Sequence, residues 1–193
     1  MTNEKPQNKQ GQALGKKGQA TRARLMNAAE RLLAKSSPLD LTAVAIAKAA
    51  DTSSATFYMY FDDVKDIYYT LSIQAGDDVV DAIESVGELV LGMEAELAAT
   101  ELVKALNAAW DKHRHVLAYR NLEADRGDSQ FEKLRMDSYM RELEVLRRWV
   151  QFGGDDENKR PSKGDAYALA SVVHAALERL AALDPQLIEN GLG

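Results

Sequence analysis

The sequence of 193 residues contains no cysteine. A disulfide framework, a thiolate metal site and a cysteine nucleophile are therefore excluded. The chain also lacks any apolar run approaching the roughly 18 residues that span a bilayer, and the lysines of its first twenty residues are not followed by the apolar segment of a secretory signal. We expect a cytoplasmic protein that does not use a membrane as a partner.

Period-two alternation, which marks a half-buried strand, is missing as well. Apolar residues instead recur at three- and four-residue spacing, first after the potential N-cap Thr21, at Leu25, Ala28, Ala29, Leu32 and Leu33. Comparable stretches lie at residues 64–86, 95–110, 113–124, 129–152 and about 165–183. The pattern predicts an all-α protein of about eight or nine helices, with a loop at 153–163.

The residue combinations that catalysis requires are also lacking. No Ser, His and Asp set indicates a nucleophile, and no Gly-rich phosphate loop follows a strand. His113 and His115 are two positions apart on a predicted helix, so they point about 200° from each other and form a poor metal pair. We expect no enzymatic activity, no metal ion and no cofactor.

Charge is distributed unevenly along the chain. The net charge of −6 argues at first against a nucleic-acid partner, because phosphates repel an acidic surface. Through Lys35, however, eight Lys and Arg and two acids give +6, which leaves −12 for the remainder. We expect a basic N-terminal part that meets DNA and an acidic body with another role. On charge alone, a basic tail without function is an equal alternative.

Residues 1–18 are polar and hold only two sizeable apolar side chains, Met1 and Leu14. Such a segment cannot bury enough apolar surface to offset the entropy of ordering it. It predicts a flexible basic arm.

Residues 41–67 have the pattern of two short helices joined by a tight turn. Thr42 is a suitable N-cap, and the alanines of the first helix permit the close backbone approach that a steep helix crossing requires. Asp51 stands where the chain must reverse, in a left-handed position that favours Gly and then Asn or Asp. Ser53 is placed to cap the second helix. Together these features predict a helix-turn-helix unit.

The second of these helices, residues 54–61, has two contrasting sides. Phe57 and Phe61 lie four residues apart and are expected in the core, whereas Thr56, Tyr58 and Tyr60 lie on or near the other side. Their hydroxyl groups suit hydrogen bonding to the phosphate oxygens of duplex DNA. The alternative is a buried aromatic cluster between helices, and the residues alone leave both open.

The run Leu41-Thr-Ala-Val-Ala-Ile-Ala-Lys-Ala-Ala-Asp-Thr-Ser-Ser-Ala-Thr-Phe-Tyr-Met-Tyr-Phe61 closely resembles the signature of the TetR family of bacterial transcriptional regulators. Its Ser-x-x-Thr-Phe-Tyr-x-Tyr-Phe core is specific, and the resemblance covers about residues 21–71. It implies an all-α homodimer whose subunits each join a three-helix DNA-binding head to a larger helical-bundle domain for ligand binding and dimerisation. After the arm at 1–18, we expect the head at 19–66 and the second domain at 67–193.

The resemblance implies a double-stranded DNA operator as the partner. It assigns the DNA contacts to the two short helices and their caps, at Thr42, Val44, Ser53, Ser54, Ala55, Thr56, Tyr58 and Tyr60. Within this set, Tyr58 matches the family tyrosine that anchors a phosphate. Because these side chains offer no bidentate fork for guanine, we expect contacts with thymine methyl groups.

Two positions depart from the family pattern. Asp51 stands where Gly is common, and Val64 stands where a Lys commonly binds phosphate. Lys65 comes one residue late, and a shift of one residue turns a helical side chain by about 100°, so it substitutes only in part. We expect the missing phosphate contacts to come from Lys16, Lys17, Arg22 and Arg24.

In the second domain, the resemblance implies a cavity in which a ligand changes the spacing of the two DNA-binding heads and so releases the operator. The large residues predicted to line it are Trp110, Tyr119, Phe131, Met136, Met140 and Trp149. For each of them an ordinary core position is an equal alternative. Polar groups that could orient a ligand are His113, Arg120, Asn121 and His174, although such groups more often lie on the surface or are satisfied in the core.

Two functions follow from these expectations. The first is a repressor that an unidentified small hydrophobic or amphipathic inducer releases from its operator. The second is a DNA-binding protein of the same type that acts through a protein partner. An apolar cavity bounded by Trp110, Phe131 and Trp149 favours the first, and a closed or polar-filled domain favours the second.

The segment at about 165–183 resembles the family's dimerising helix. Its apolar residues step by four, three, four and three positions, at Leu169, Val173, Ala176, Leu180 and Leu183. The family usually adds another long amphipathic helix, whereas here only a short tail to Gly193 follows. We expect a homodimer built on this helix, either with the last family helix missing from the chain or with a different interface.

Overall fold

The computed structural model describes residues 13–89, 95–153 and 157–183. In these ranges the chain forms seven α-helices: α1 (Lys16–Leu33), α2 (Ala43–Ala49), α3 (Ser54–Tyr60), α4 (Val64–Leu89), α5 (Ala95–Asp125), α6 (Ser129–Phe152) and α7 (Lys163–Ala182). Short 3₁₀ helices lie at Pro38–Asp40 and Glu157–Lys159. The prediction of an all-α fold is confirmed.

The chain divides into two compact units, Met1–Ile73 and Gln74–Gly193. In the first unit, α1, α2 and α3 pack around a small apolar core whose largest fully buried side chains include Leu25, Ile46, Phe57, Phe61 and Ile67. The Tyr68 hydroxyl reaches into this core and donates to the Ala29 carbonyl oxygen at 3.0 Å, which satisfies its buried polar end.

Helix α1 begins six residues earlier than an N-cap at Thr21 predicts. Gly15 precedes it without a side-chain cap, and Thr21 lies inside the helix, where its hydroxyl donates to the Lys17 carbonyl oxygen at 3.0 Å. A hydroxyl satisfied in this way, four residues back along a helix, cannot serve as an N-cap. The expected flexible arm is therefore wrong for residues 16–18, which are helical, and residues 1–12 lie outside the described residues.

In the second unit, α5, α6 and α7 pack against one another. The two helices expected at 95–110 and 113–124 are one continuous helix, α5, because the residues between them do not interrupt it. Helix α6 has the predicted bounds. Its N-cap is Asp128, whose carboxylate accepts from the backbone of Gln130 at 2.9 Å and Phe131 at 3.2 Å.

Helix α7 begins after Ser162, whose side chain caps it by accepting from the Asp165 backbone at 3.2 Å. Ion pairs on the surface of the second unit join Asp77 to Arg141 at 2.6 Å and Glu84 to Arg148 at 3.4 Å. No helix in the described ranges combines the length and the apolar character needed to cross a membrane.

Candidate DNA-binding site and cavity

The turn between α2 and α3 reverses the chain in the way that the sequence predicts. Asp51 has φ of 51°, the left-handed conformation expected at this position. The Thr52 N–H donates to the Ala47 carbonyl oxygen at 3.0 Å, and the Asp51 N–H donates to that of Lys48 at 3.2 Å. This pair of bonds is a Schellman motif, which satisfies carbonyl groups at the end of α2 and fixes the direction in which α3 starts.

Both predicted N-caps of the two short helices are present. The Thr42 hydroxyl oxygen accepts from the Ala45 N–H at 3.1 Å, and the Ser53 hydroxyl oxygen accepts from the Thr56 N–H at 3.1 Å. The hydroxyls of Ser53 and Thr56 also lie 3.0 Å apart, within hydrogen-bond distance. The caps therefore hold the exposed side chains of Thr42 and Ser53 in fixed positions at the starts of α2 and α3.

Helix α3 separates its apolar and hydroxyl-bearing sides clearly. Phe57 and Phe61 are buried, with ring centroids 5.6 Å apart. Tyr58 is 51% exposed and Met59 is 59% exposed, and together with the exposed Ala55 they form one face of the helix at positions i, i+3 and i+4. The alternative of a wholly buried aromatic cluster therefore does not hold for Tyr58.

The remaining predicted DNA contacts differ in how far they are presented to solvent. Val44 on α2 is 64% exposed, whereas Ser54 and Thr56 are half-buried. Tyr60 is half-buried as well, and its hydroxyl lies 3.5 Å from the point where a Cβ at Gly18 of α1 would stand. The Tyr60 side chain thus lies alongside α1.

The basic residues also divide into two groups. Lys16 and Lys17 are exposed in the first turn of α1. The Arg22 guanidinium lies over the Phe61 ring at 5.2 Å, and burial lowers its pKa while the Asp66 carboxylate partly opposes that change. Lys65 is half-buried in the first turn of α4. Of this set, the two lysines of α1 are the most accessible cations.

The three aspartates after α3 have a structural role at the start of α4. The Asp63 carboxylate accepts from the Asp66 N–H at 2.8 Å, and the Asp66 carboxylate accepts from the Asp62 N–H at 2.9 Å. These reciprocal bonds resemble a capping box and satisfy backbone donors at the start of the helix. They explain acidic residues that are otherwise out of place beside a DNA-binding surface.

Two exposed residues of this region were missed from the sequence. Met59 lies beside Tyr58 on the outer face of α3, and Lys48 is exposed in the last turn of α2. The signal for Met59 was its position one residue after Tyr58 and four after Ala55, which puts all three on one face.

The second unit contains an open cavity of about 320 Å³ between α5, α6 and α7. It is lined by a mixture of charged, polar and apolar side chains, namely Trp110, Arg120, Asn121, Arg135, Met136, Tyr139, Glu142, His174 and Glu178. Of the six large residues predicted for such a cavity, Trp110 and Met136 line it. Of the four polar groups, Arg120, Asn121 and His174 line it.

The structure places the other predicted lining residues elsewhere. Tyr119 and Phe131 are buried and pack edge to face, with ring centroids 5.7 Å apart. Met140 is 48% exposed, and the Trp149 indole lies against Gly87 of α4. His113 bonds to Asp78 at 2.8 Å. Of the three residues expected to bound an apolar cavity, Trp110 therefore lines this one, whereas Phe131 and Trp149 do not.

Buried charge distinguishes the cavity from an ordinary core. Arg120 is 3% exposed, and its Nε donates to the Asn121 side-chain oxygen at 3.2 Å. Burial lowers the Arg120 pKa, while the carboxylates of Glu142 and Glu178 oppose that change. The His174 ring lies 2.8 Å through Nε2 from the Glu142 carboxylate.

The outward side of α7 carries exposed apolar residues. Leu169, Val172, Val173 and Leu180 are 53, 70, 39 and 55% exposed, and Ala176 is exposed between them. The opposite side, including Ala166, Ala170 and His174, is buried. Four members of the heptad-like series, Leu169, Val173, Ala176 and Leu180, therefore lie on a face of α7 that the described residues leave exposed.

Comparisons with known proteins agree with this architecture. Residues 25–68 match the family model of bacterial regulatory proteins, tetR family. No curated protein sequence matches the chain.

The fold is similar to that of the fatty acid degradation regulator FadR from Bacillus halodurans, with a TM-score of 0.69, 16% identity and coverage of 93% of this chain and 88% of that one. It is also similar to a protein of unknown function from Rhodococcus sp. RHA1, with a TM-score of 0.63, 24% identity and coverage of 89% and 84%. A putative TetR-family transcriptional regulator from Syntrophomonas wolfei str. Goettingen gives a TM-score of 0.57 at 15% identity, with 84% of each chain covered.

At these identities the solved structures establish the fold, and the helix-turn-helix segment supplies the sequence match. The match includes α2, α3 and the Schellman turn between them. Residues 25–68 are thus similar to the DNA-binding segment of the tetR family of bacterial regulatory proteins, and the fold of the chain is similar to that of the solved structures.

Proposed function

We propose that this protein is a homodimeric repressor that binds an operator through α2 and α3 and releases it when a small amphipathic molecule occupies the cavity of the second unit. One observation carries the DNA-binding part of the proposal. A capped, apolar-cored pair of short helices exposes Val44, Ala55 and Tyr58 on its outside, where a monomeric core would have no use for them.

The exposed residues suit a particular mode of base recognition. Val44 and Ala55 offer methyl groups, and Met59 adds a flexible apolar side chain beside Tyr58. In the major groove, methyl groups contact thymine, whereas guanine is read by Arg or Lys. We therefore propose operator half-sites read mainly at A·T base pairs.

Phosphate contacts are assigned to hydroxyl and lysine side chains. Thr42 uses its oxygen as the cap acceptor, which leaves its O–H free to donate. Lys16 and Lys17 are exposed on α1, and we propose that they replace the lysine that Val64 displaces. Arg22 contributes less, because its guanidinium packs over Phe61.

Dimerisation is assigned to the uncovered apolar face of α7. Four large side chains on one stretch of helix are more than scattered exposure explains, and a second copy of the same helix offers a matching surface. Small residues such as Ala176 allow two such helices to approach closely. A dimer presents two recognition helices to half-sites one helical turn apart.

A protein partner instead of a small molecule is the second candidate function, and the charged residues in the cavity wall favour it. These two candidate functions differ in one measurable property, which is whether a small molecule alone changes the affinity for the operator. A repressor of the first kind loses affinity with ligand in a purified system, whereas one of the second kind requires another protein.

The proposal is tested by footprinting purified protein on DNA that flanks its gene and by selection from a random duplex pool. We expect a palindromic site bound at least about 1,000-fold more tightly than random DNA. Binding no sequence better than random DNA would refute the regulator function.

A substitution pair sharpens this test. Because each phosphate contact contributes about 0.9 to the slope of log affinity against log salt, Lys16→Gln with Lys17→Gln should reduce that slope by about 1 to 2. Lys104→Gln is the control, since Lys104 is exposed in the second unit and paired with Glu101. Equal slopes in all three proteins would remove α1 from the interface.

A further inference from the structure

Two buried polar atoms on residues that line the cavity of the second unit have no hydrogen-bond partner among the described residues. They are Nη1 of Arg120 and Nδ1 of His174, and both residues line the same cavity. Both side chains are more than nine-tenths buried. A buried guanidinium with an unused donor is costly unless something accepts from it, so native proteins rarely leave one in place.

The other charged groups of the cavity are largely engaged. Arg135 is ion-paired with Asp125 at 2.6 Å, and Glu142 lies 2.8 Å from Nε2 of His174. Glu142 and Glu178 act on Arg120 through space, but neither accepts from its Nη1. The guanidinium therefore keeps a donor that no acid of the cavity accepts from.

The remaining lining residues indicate which chemical groups a ligand would have besides the one that binds Arg120. Trp110, Met136 and Tyr139 supply aromatic and apolar surface beside the charged groups. A volume of about 320 Å³ is at the small end of the range for ligand sites. The two glutamates disfavour a dianion such as a phosphate ester, because like charges repel at short range, and leave a single negative charge as the better match for Arg120.

We infer that this cavity binds a small organic monocarboxylate, whose carboxylate accepts from the Arg120 guanidinium and whose apolar part lies against Trp110 and Met136. The inference rests on the proposed function in taking this cavity as the effector site. His174, whose Nδ1 is buried without a partner among the described residues, adds a second polar side chain to the cavity wall.

The test compares acids with their neutral amides on the full-length protein. Benzoate, cinnamate and octanoate are each titrated beside the corresponding amide by calorimetry. Binding is also followed through Trp110 emission in the Trp149→Phe variant, where Trp110 is the one tryptophan left. Because a charge-assisted hydrogen bond contributes more than a neutral one, at least one acid should bind about 10-fold or more tightly than its amide.

Arg120→Gln should remove this preference by weakening the acid about 10-fold while leaving the amide unchanged. Arg126→Gln is the matched control, since Arg126 directly follows the end of the same helix, pairs with Glu123 at 3.0 Å and does not line the cavity. If Arg120→Gln does not fold, the acid-to-amide ratio of the unaltered protein decides. The inference is overturned if no acid binds, if amides bind as tightly, if folded Arg120→Gln keeps the preference, or if inorganic phosphate binds more tightly than every acid.

Operator binding is measured separately with and without the best acid. Acid binding that leaves operator affinity unchanged contradicts ligand-controlled release but supports the carboxylate site. Absence of acid binding overturns the carboxylate site and leaves the operator test of the proposed function intact.

Discussion

The two units of this chain bury different chemistry. Among the described residues of the first unit, the buried polar side chains are the hydroxyls of Ser72 and Tyr68, and both donate to backbone carbonyl oxygens. The described part of the second unit buries the side chains of Arg120, Glu142, Arg147 and His174, all of them acidic or basic. An apolar core supports a rigid helical surface, here the proposed DNA-binding surface. A charged interior is a poor source of stability, and it is suited to recognising a polar ligand.

The stabilising role of the apolar core of the first unit is tested by the substitution with the largest expected effect. Phe57→Ala should lower the free energy of unfolding by about 3–5 kcal/mol, because it removes a fully buried ring from a small core. Met59→Ala, two residues away but 59% exposed, should change it by less than about 0.5 kcal/mol. Denaturant unfolding followed by far-ultraviolet circular dichroism measures both. Equal losses would mean that α3 is not anchored by its buried face.

In the second unit, a tight helix contact gives the next largest expected effect. A Cβ added at Gly87 would stand 2.6 Å from Nε1 of Trp149 and 3.0 Å from two carbons of its indole ring. We expect Gly87→Ala to cost about 1–3 kcal/mol through overpacking, which exceeds the gain of about 0.5–1 kcal/mol that alanine brings to a helix. Thermal unfolding and tryptophan emission measure the change.

The control for Gly87 is Gly164→Ala on α7, where the nearest side-chain atom, Ser162 Oγ, is 3.9 Å away. That substitution should stabilise by up to about 1 kcal/mol. In a Trp149→Phe background the penalty at Gly87 should shrink. A penalty of the same size there would assign the effect to something other than the indole.

The hydroxyl face of the first unit is tested by Tyr58→Phe. Loss of one phosphate hydrogen bond should weaken every operator by about 1 kcal/mol, or roughly 5-fold, without changing their order. Tyr139→Phe removes a hydroxyl from the cavity of the second unit and should leave ligand-free operator affinity unchanged. Fluorescence anisotropy with several operator variants measures both. An altered order of operators would show that Tyr58 contacts a base.

The smallest expected effect is a pH dependence in the second unit. Hydrogen bonds from Arg147, and then from Tyr167, lower the pKa of Glu144 from 4.5 to about 2. A lowered pKa stabilises the fold above pH 4.5, and this contribution is lost as the pH falls through about 2. Because the Glu144 side chain is 42% exposed, solvent screening keeps the contribution below about 1 kcal/mol.

We therefore expect the unaltered protein to lose more stability than Glu144→Gln between pH 4.5 and about 2. Denaturant unfolding across this interval measures the difference. Glu132→Gln, on the exposed surface of the same helix, is the control. Parallel profiles for the unaltered protein and Glu144→Gln would contradict the assigned role of this carboxylate.

Several features of the first unit follow from local sequence. The caps at Thr42 and Ser53 and the left-handed Asp51 depend on residues within a few positions of one another, so the sequence predicts them directly. The start of α1, in contrast, is not predicted correctly from the local sequence. Thr21 has the chemistry of an N-cap, but helix formation upstream gives its hydroxyl another acceptor.

In the second unit, by contrast, local sequence does not predict which residues line the cavity. Phe131 and Trp110 are both large, apolar residues on amphipathic helices, and nothing local distinguishes a core position from a cavity wall. Phe131 is fully buried against Tyr119, whereas Trp110 lines the cavity. Which of them meets a ligand depends on how three helices pack.

The sequence by itself determined the all-α fold and the helix-turn-helix between Leu41 and Ile67, because helical periodicity, capping and turn geometry are short-range properties. The tertiary structure alone decided that Arg22 lies over Phe61, that Tyr60 lies alongside α1 and that the cavity is lined by Arg120, Glu142 and His174. These arrangements join residues up to 54 positions apart, from 120 to 174, and the packing of separate helices brings them together.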